Sequence, residues 1–493
     1  MMTALLLNQP IKTTNMRRIK RLILGGLLVL TTIASAGTDP SESEKKERGS
    51  TNLAEQNLVR AMEITDNSFV THFTEEGMAR YFNPYTGVRS DEKGSIWMYT
   101  SAIEAVNAVL HALKTEKELG DGSLYEKHFS RYSKQLLDLY ENADYYLGTF
   151  TLTSYTGTRE WSVYGVHRAA AKGEAKVAGI ENVYDDQMWL VREFIEAYKL
   201  TGEKFFLDKA EYLTEYVLDG WDCTIDENGE ERGGITWGPG YVSKHSCSNG
   251  PMVSPLVWLH EIYNDKEDKV THRFIDPADR QTRRREEMKK SDYYLLFAQK
   301  IYNWQRKHLL RPDGVYADMM GGCSPGKPER ERIDGVDYRK GITCSDRVGP
   351  PYTYNSGTML SGAADLYRAT GNKSYADEGA ALSDASFSHF ARKGVELPDY
   401  YSYNIDGFRN WFNGVMMRGY VDLYPFYDHV ADYIATFQQN LDYGYDHFLY
   451  KGTLPTNLLT GWDEEEDKNN TEGMFSFTFA AEYAVLARYE WSR

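Results

Sequence analysis

Glu196-Ala-Tyr-Lys-Leu-Thr-Gly-Glu-Lys204 runs into Phe205-Phe-Leu-Asp-Lys-Ala210, and far downstream Asp365-Leu-Tyr-Arg-Ala-Thr-Gly-Asn-Lys373 runs into Ser374-Tyr-Ala-Asp-Glu-Gly-Ala380. In both stretches an amphipathic helix ends in Thr-Gly, where Gly202 or Gly371 is free to take the left-handed conformation that closes a helix. A short turn and a second amphipathic helix follow. Helix hairpins repeated in one long chain fit an array or a closed α/α toroid. Other segments read the same way. Leu58, Met62 and Phe69 mark one helix, Ile103, Val106, Val109, Leu110 and Leu113 a second, and Leu136, Leu137, Tyr140, Ala143 and Tyr146 another. Alternating runs bounded by turn residues are scarce, so the chain is expected to be all-α. In a toroid the inner helices begin at one rim, and the loops before them converge on a central cleft.

At one such expected rim stands Asn182-Val-Tyr-Asp185-Asp186-Gln-Met-Trp-Leu-Val-Arg192. Two carboxylates beside aromatic platforms are what cleavage of a glycosidic bond requires. One gives a proton to the leaving oxygen while the other attacks or stabilises the anomeric carbon. Retention of configuration needs carboxyl groups about 5–5.5 Å apart, within reach of neighbours at a helix start. The acid must keep its proton near neutrality, which burial and an adjacent anion promote. An Asp-Asp pair before a helix is equally an N-cap and a first-turn acid favoured by the helix dipole. Spacing alone leaves both readings open.

The motifs around the pair, taken in order, widen the pattern. Tyr184-Asp185-Asp186-Gln187 is followed by Asp219-Gly-Trp-Asp222, Gly233-Gly-Ile-Thr-Trp237 and Lys244-His-Ser-Cys-Ser-Asn249. Asp313-Gly314, Tyr354-Asn-Ser-Gly357 and Phe412-Asn-Gly-Val-Met-Met-Arg418 come after them. In this order they resemble glycoside hydrolase family 76, the α-1,6-mannanases, particularly the secreted bacterial type, over residues 55–490. Tyr184 departs from that family's usual Asn before the pair, and His245 replaces a usual Asn. The resemblance implies an (α/α)6 barrel and a retaining double displacement, with Asp185 as nucleophile and Asp186 as acid/base. The chemistry of two carboxylates does not by itself distribute those roles.

Around the pair, Trp97 and Trp237 offer flat faces to a mannose ring or serve as core. Asn249 and Asn355 hydrogen-bond sugar hydroxyls or make turns. Arg418 orients a carboxylate or pairs with an acid between helices, and Gly233 and Gly234 let backbone approach the cleft. With Tyr184 and Tyr354 these make the candidate substrate-binding set. The chemistry calls for no cofactor and no metal. Asp226-Glu-Asn-Gly229 lacks the later ligands of a calcium loop and reads as a β-turn.

Among 493 residues the formal net charge is −16, and the first 36 hold five basic side chains and no acid. So acidic a body argues against nucleic acid or an anionic membrane surface as partner. It suits α-mannan or manno-oligosaccharides, and a monomer is the default expectation. Residues 16–36 have a basic start, a short apolar run and an Ala-Ser-Ala end, the pattern of a signal peptide. That run is too short for stable membrane insertion. Residues 1–36 are therefore read as the signal, 37–51 as a flexible leader and 52–493 as a single catalytic domain, exported to the periplasm or beyond. Cys223, Cys247, Cys323 and Cys344 then suggest one or two disulfides, with Cys223–Cys247 and Cys323–Cys344 closing the shortest loops. The densely charged residues 264–290 read as a solvated helix face or a surface insertion.

Three other readings compete. A transglycosidase of the same architecture would pass mannosyl groups to another sugar. A toroidal epimerase or uronyl hydrolase would call for paired histidines or a basic cleft, and neither is apparent. A non-catalytic mannan-binding protein has no need to retain a costly pair of adjacent like charges.

Overall fold

Gly202 and Gly371 both end their helices in the left-handed conformation, with φ of 75° and 67°. Their N–H groups reach back to the carbonyls of Tyr198 and Tyr367 at 2.7 and 2.8 Å. The computed structural model describes residues 53–321, 326–344 and 346–493. The signal and leader readings, and Cys323, lie outside the described residues.

Twelve α-helices run through the described residues: α1 (Leu53–His72), α2 (Ile96–Leu119), α3 (Ser123–Ala143), α4 (Tyr184–Thr201), α5 (Lys204–Asp219) and α6 (Val253–Tyr263), followed by α7 (Lys290–Leu309), α8 (Thr353–Thr370), α9 (Lys373–Phe390), α10 (Arg409–Leu423), α11 (Ala431–Phe448) and α12 (Gly473–Ser492). The even-numbered helices form a closed inner ring. Each packs on the next, α2 on α4 and so on round to α12, which returns to α2. Each odd-numbered helix lies outside and packs on an inner neighbour. This is the (α/α)6 barrel.

The two rings differ in sequence because they differ in surroundings. Inner α12 is buried along nearly its whole length, from Gly473 to Ala487. Its sequence GMFSFTFAAEYAVLA is correspondingly apolar on every face. Outer α3 buries only one stripe, Tyr132, Leu136, Leu139, Tyr140 and Ala143, at helical spacing. Small residues let inner helices approach closely. A Cβ on Gly357 of α8 would sit 2.5 Å from the Val415 carbonyl of α10.

The charged segment is a β-hairpin rather than a helix, with Lys269–Ile275 paired against Arg283–Lys289. One strand, KVTHRFI, buries His272 and Ile275, while RRREEMK is exposed or half-exposed throughout and so carries no alternating signal. A second hairpin, Leu147–Thr153 with Thr158–Tyr164, leads toward the loop before α4.

The expected Cys223–Cys247 disulfide is not formed, and the Cys323–Cys344 pairing involves a residue outside those described. Cys223 is buried in the core, while Cys247 and Cys344 are half-buried, and all three are free thiols. Cys223 is enclosed by apolar neighbours that push its thiol pKa far up, and Cys247 faces the cleft instead of a partner sulfur.

Candidate active site

Five of the six inner helices send the loop before them, or their first turn, to one cleft of about 700 Å³. Ser95 and Trp97 arrive from α2, and Val183, Asp185, Asp186 and Trp189 from α4. Trp237, Tyr241, His245 and Cys247 come from the loop before α6. Asp318, Met319 and Tyr352 come from before α8 and Tyr354 from its first turn, while Asp406, Gly407 and Phe408 precede α10 and Arg409, Trp411 and Phe412 open it.

The paired aspartates occupy the first turn of α4. Three hydrogen bonds hold that turn in place. Gln187 clasps Tyr164, accepting from its N–H at 3.1 Å and donating to its carbonyl at 2.8 Å. The Tyr184 N–H donates to the Trp237 carbonyl at 2.8 Å, tying α4 to the loop that carries Trp237. A helix dipole favours first-turn anions by about 0.3–2 kcal/mol, whereas burial can raise a carboxyl pKa by several units. Burial wins here. Asp186 is only 5% exposed, and enclosure plus the charge of Asp185 drive its pKa well above the ordinary value. Asp185 is also raised by burial, but less. The Cys247 thiol, backbone N–H groups and the Trp237 indole N–H favour its anion. That indole N–H closes no formed hydrogen bond, and Oδ1 of Asp185 is likewise without one, so the indole acts only at longer range.

A third carboxyl, Asp318, lines the same cleft. It accepts from the Tyr354 hydroxyl at 3.0 Å, and burial pushes its pKa up to about 6. With Glu181 and Asp406, five carboxyl side chains line this cleft, a setting that favours positive charge developing within it. The opposite wall is aromatic. Trp97 packs edge-on against Trp411 at 5.3 Å and Phe408 at 4.9 Å, and Trp189 meets Trp411 at 4.7 Å. Such T-shaped contacts fix ring orientation. Trp411 is held from beneath, its indole N–H donating to Glu104 at 3.1 Å.

Of the residues the sequence singles out, Trp97, Asp185, Asp186, Trp237 and Tyr354 meet in this cleft. The others do not. Tyr184 is fully buried, turned against Tyr216 with ring centroids 5.0 Å apart, because Gly220 leaves room for its ring. Gly233 and Gly234, with φ of 66° and 74°, let the Trp304 indole lie where a Cβ would stand. Asn249 is buried and spent on backbone, accepting from the Ile235 N–H at 2.9 Å and donating to the His245 carbonyl at 2.7 Å. Asn355 is fully buried in the first turn of α8, near Asp318 but with neither amide atom hydrogen-bonded. Arg418 pairs with Glu104 inside the barrel, below the cleft.

These off-cleft residues are the scaffold of the cleft loop. At its centre Lys244 Nζ meets Asp222 Oδ2 at 2.9 Å, with the two side chains 3% and 0% exposed. Lys244 also donates to the carbonyls of Gly233 at 2.6 Å and Ile342 at 3.1 Å, so its three protons are all used. Removing one partner of a buried pair costs about 3–5 kcal/mol because the other charge is stranded. Lys244→Met is therefore expected to lower the melting temperature and loosen Trp237, while a Lys244→Met/Asp222→Leu double variant recovers much of the loss. Paired melting curves read this directly.

Sequence reasoning missed Asp318, although Asp313-Gly314 lies just upstream. It also missed Cys247 as a neighbour of Asp185, reading it as half of a disulfide. Tyr352, Phe408 and Trp411 carry no sequence signal that separates them from core aromatics.

A toroid of helix hairpins with buried paired carboxyls and an aromatic wall at one rim is the arrangement of a glycoside hydrolase. The family model for glycosyl hydrolase family 76 matches residues 138–268 and 284–483, and the chain belongs to that family. The structure is similar to the family 76 mannosidase Bt3792 from Bacteroides thetaiotaomicron, with TM-score 0.62 and 20% identity over 88% of this chain and 98% of that one. It is also similar to an inactive variant of the α-1,6-mannanase GH76A of Salegentibacter sp. HEL1_6, in which two aspartates are replaced, in complex with α-1,6-mannotetrose. That match has TM-score 0.56 and 17% identity, over 88% and 99% of the two chains. The α-mannanase BT2949 of Bacteroides thetaiotaomicron matches at TM-score 0.57 and 16% identity, over 90% and 98%. No curated protein sequence matches this chain.

Proposed function

We propose that this glycoside hydrolase cleaves α-1,6-mannosidic linkages within a mannan backbone, with retention of configuration. Asp185 is the nucleophile and Asp186 the acid/base. The observation that carries this reading is the unequal pair. Asp186 takes both burial and its neighbour's charge, and both favour its protonated form. Asp185 is surrounded by donors that favour its anion.

In the first step an Asp185 oxygen bonds to the anomeric carbon while the glycosidic C–O bond breaks and Asp186 protonates the departing oxygen. In the second, Asp186 takes a proton from water, whose oxygen displaces Asp185. The Asp318 carboxyl, in the same cleft, favours the cationic character of both transition states when ionised. The substrate assignment draws on family membership and on the α-1,6-mannotetrose bound by the Salegentibacter relative. An internal cut is supported by the cleft's shape. It continues past Ser95 and His167 into a groove lined by Arg80, Lys93 and Arg168. Export rests on the pattern of residues 16–36.

The test is incubation of the protein with debranched α-1,6-mannan, with product sizes followed over time. A ladder of short manno-oligosaccharides from the outset is expected. Mannose alone from the start contradicts internal cutting, products longer than the supplied oligosaccharides indicate transfer to sugar, and an unaltered polymer contradicts the substrate.

A further inference from the structure

Beside the main cleft lies a second recess of about 530 Å³, and the two share Tyr352, Asp406 and Arg409 as a common wall. That wall is held in place. Arg409 donates to the Asp406 carbonyl at 2.9 Å, and its guanidinium carbon lies 5.2 Å from the Tyr352 ring centroid. The recess is bordered by the short hairpin of Arg392–Lys393 with Tyr401–Ser402 and by the start of α10.

Its depth separates it from the through-groove on the other side. Glu396, Ser402, Tyr403, Ile405 and Asn413 also line a narrower cavity of about 60 Å³, which continues inward between α10, α11 and α12 and ends on Glu482. Glu482 is 6% exposed, and its burial near Glu104 pushes its pKa up to about 8. At neutral pH it is therefore a neutral acid, able to donate or accept. Asn440 lines the same inner cavity, and its Oδ1 is buried without a hydrogen-bond partner. A glycan backbone runs along the surface, whereas this recess lies to one side of the cleft and leads inward toward Glu482. A group that projects sideways from the backbone needs only an entrance.

We infer that the recess holds a neutral sugar residue branching from the glycan bound in the main cleft, so that the enzyme accepts, and cuts beside, a branched backbone. The lining suits a sugar. Val395, 65% exposed, offers an apolar contact, while Glu396, Ser402 and Arg392 supply acceptors and donors for hydroxyl groups. This inference rests on the mannan-cleaving reading of the cleft.

The experiment compares kcat/KM on debranched α-1,6-mannan and on the same backbone carrying single-mannosyl branches. It uses the wild-type protein and Val395→Trp, a surface change that fills the recess, with Glu396→Ala as a second variant that empties it of an acceptor. The wild type is expected to cut both polymers. Val395→Trp is expected to lower the branched-to-linear ratio at least 10-fold, and Glu396→Ala to lower it several-fold. A wild type that cuts only the linear polymer overturns the inference, as does a ratio indifferent to Val395→Trp. An equal loss on both polymers also overturns it, because the recess would then hold part of the backbone itself. Cleavage of neither polymer by the wild type overturns the reading of the cleft, and the branch site with it.

Discussion

Asp185→Asn is expected to lower kcat on α-1,6-mannan by about 10⁴-fold or more, with little change in affinity for the glycan. The first step requires a carboxylate oxygen to form a covalent bond to the anomeric carbon, and an amide is a poor substitute. Removing the attacking group from a catalytic unit costs about 10⁴–10⁶ in kcat in well-studied hydrolases. Binding should survive, because the aromatic wall of Trp97, Phe408 and Phe412 and the loop carrying Trp237 do not depend on that charge. Asn also keeps the shape of the first turn of α4, which Gln187 and the Tyr184 N–H anchor independently. The variant should thus retain manno-oligosaccharides measurably by calorimetry while releasing none. Loss of binding with loss of turnover would instead point to a collapsed cleft.

Asp186→Asn is expected to separate rate from stability. Without the acid, kcat on mannan should fall by about 10²–10⁴-fold, and by much less on an aryl mannoside whose leaving group needs no proton. Stability should move the other way. The folded pKa of Asp186 is raised above its unfolded value by burial and by Asp185. Its contribution to stability is therefore fully present below the unfolded pKa, near 4, and is lost as pH rises through the folded pKa. A neutral Asn does not incur that loss. The variant should melt above the wild type at pH 8, with the difference closing toward pH 4 and each unit of pKa elevation counting for about 1.4 kcal/mol. Equal melting curves at both pH values would contradict the account of a strained carboxyl pair. The same pair predicts a bell-shaped dependence of kcat/KM on pH, limited on the acid side by Asp185 and on the alkaline side by Asp186.

Much of the fold was legible because its signals are local. The Thr-Gly stops at Gly202 and Gly371 depend on backbone conformation that glycine adopts readily, and the outer helices advertise one apolar stripe each. The hairpin at residues 269–289 was harder to read, since a strand with no buried face shows no alternation. Within the site, chemistry joined to motif order picked out the aspartate pair that the fold places in the cleft, while several motifs around it lie outside the cleft lining. Gly233, Gly234, Lys244 and Asn249 pack and bond within the cleft loop and lie outside the cleft lining, and a recurring pattern looks the same for either placement. Asp318 shows the converse. It reaches the cleft through tertiary placement beside Tyr354, and nothing in its immediate sequence distinguishes it from a surface aspartate. Even counting of cysteines misled in the same way. Thiol number suggests pairing, whereas Cys223 lies in the core and Cys247 beside Asp185.

The central claim is a retaining displacement by Asp185 and Asp186 at an α-1,6-mannosidic bond. Proton NMR of the anomeric region, recorded from the first minute of hydrolysis of a linear α-1,6-manno-oligosaccharide, tests it most directly. The account predicts that the α-anomer of the new reducing end appears first and the β-anomer only later, by mutarotation. A β-anomer appearing first would contradict it, because water would then have attacked directly and Asp185 would not be the nucleophile.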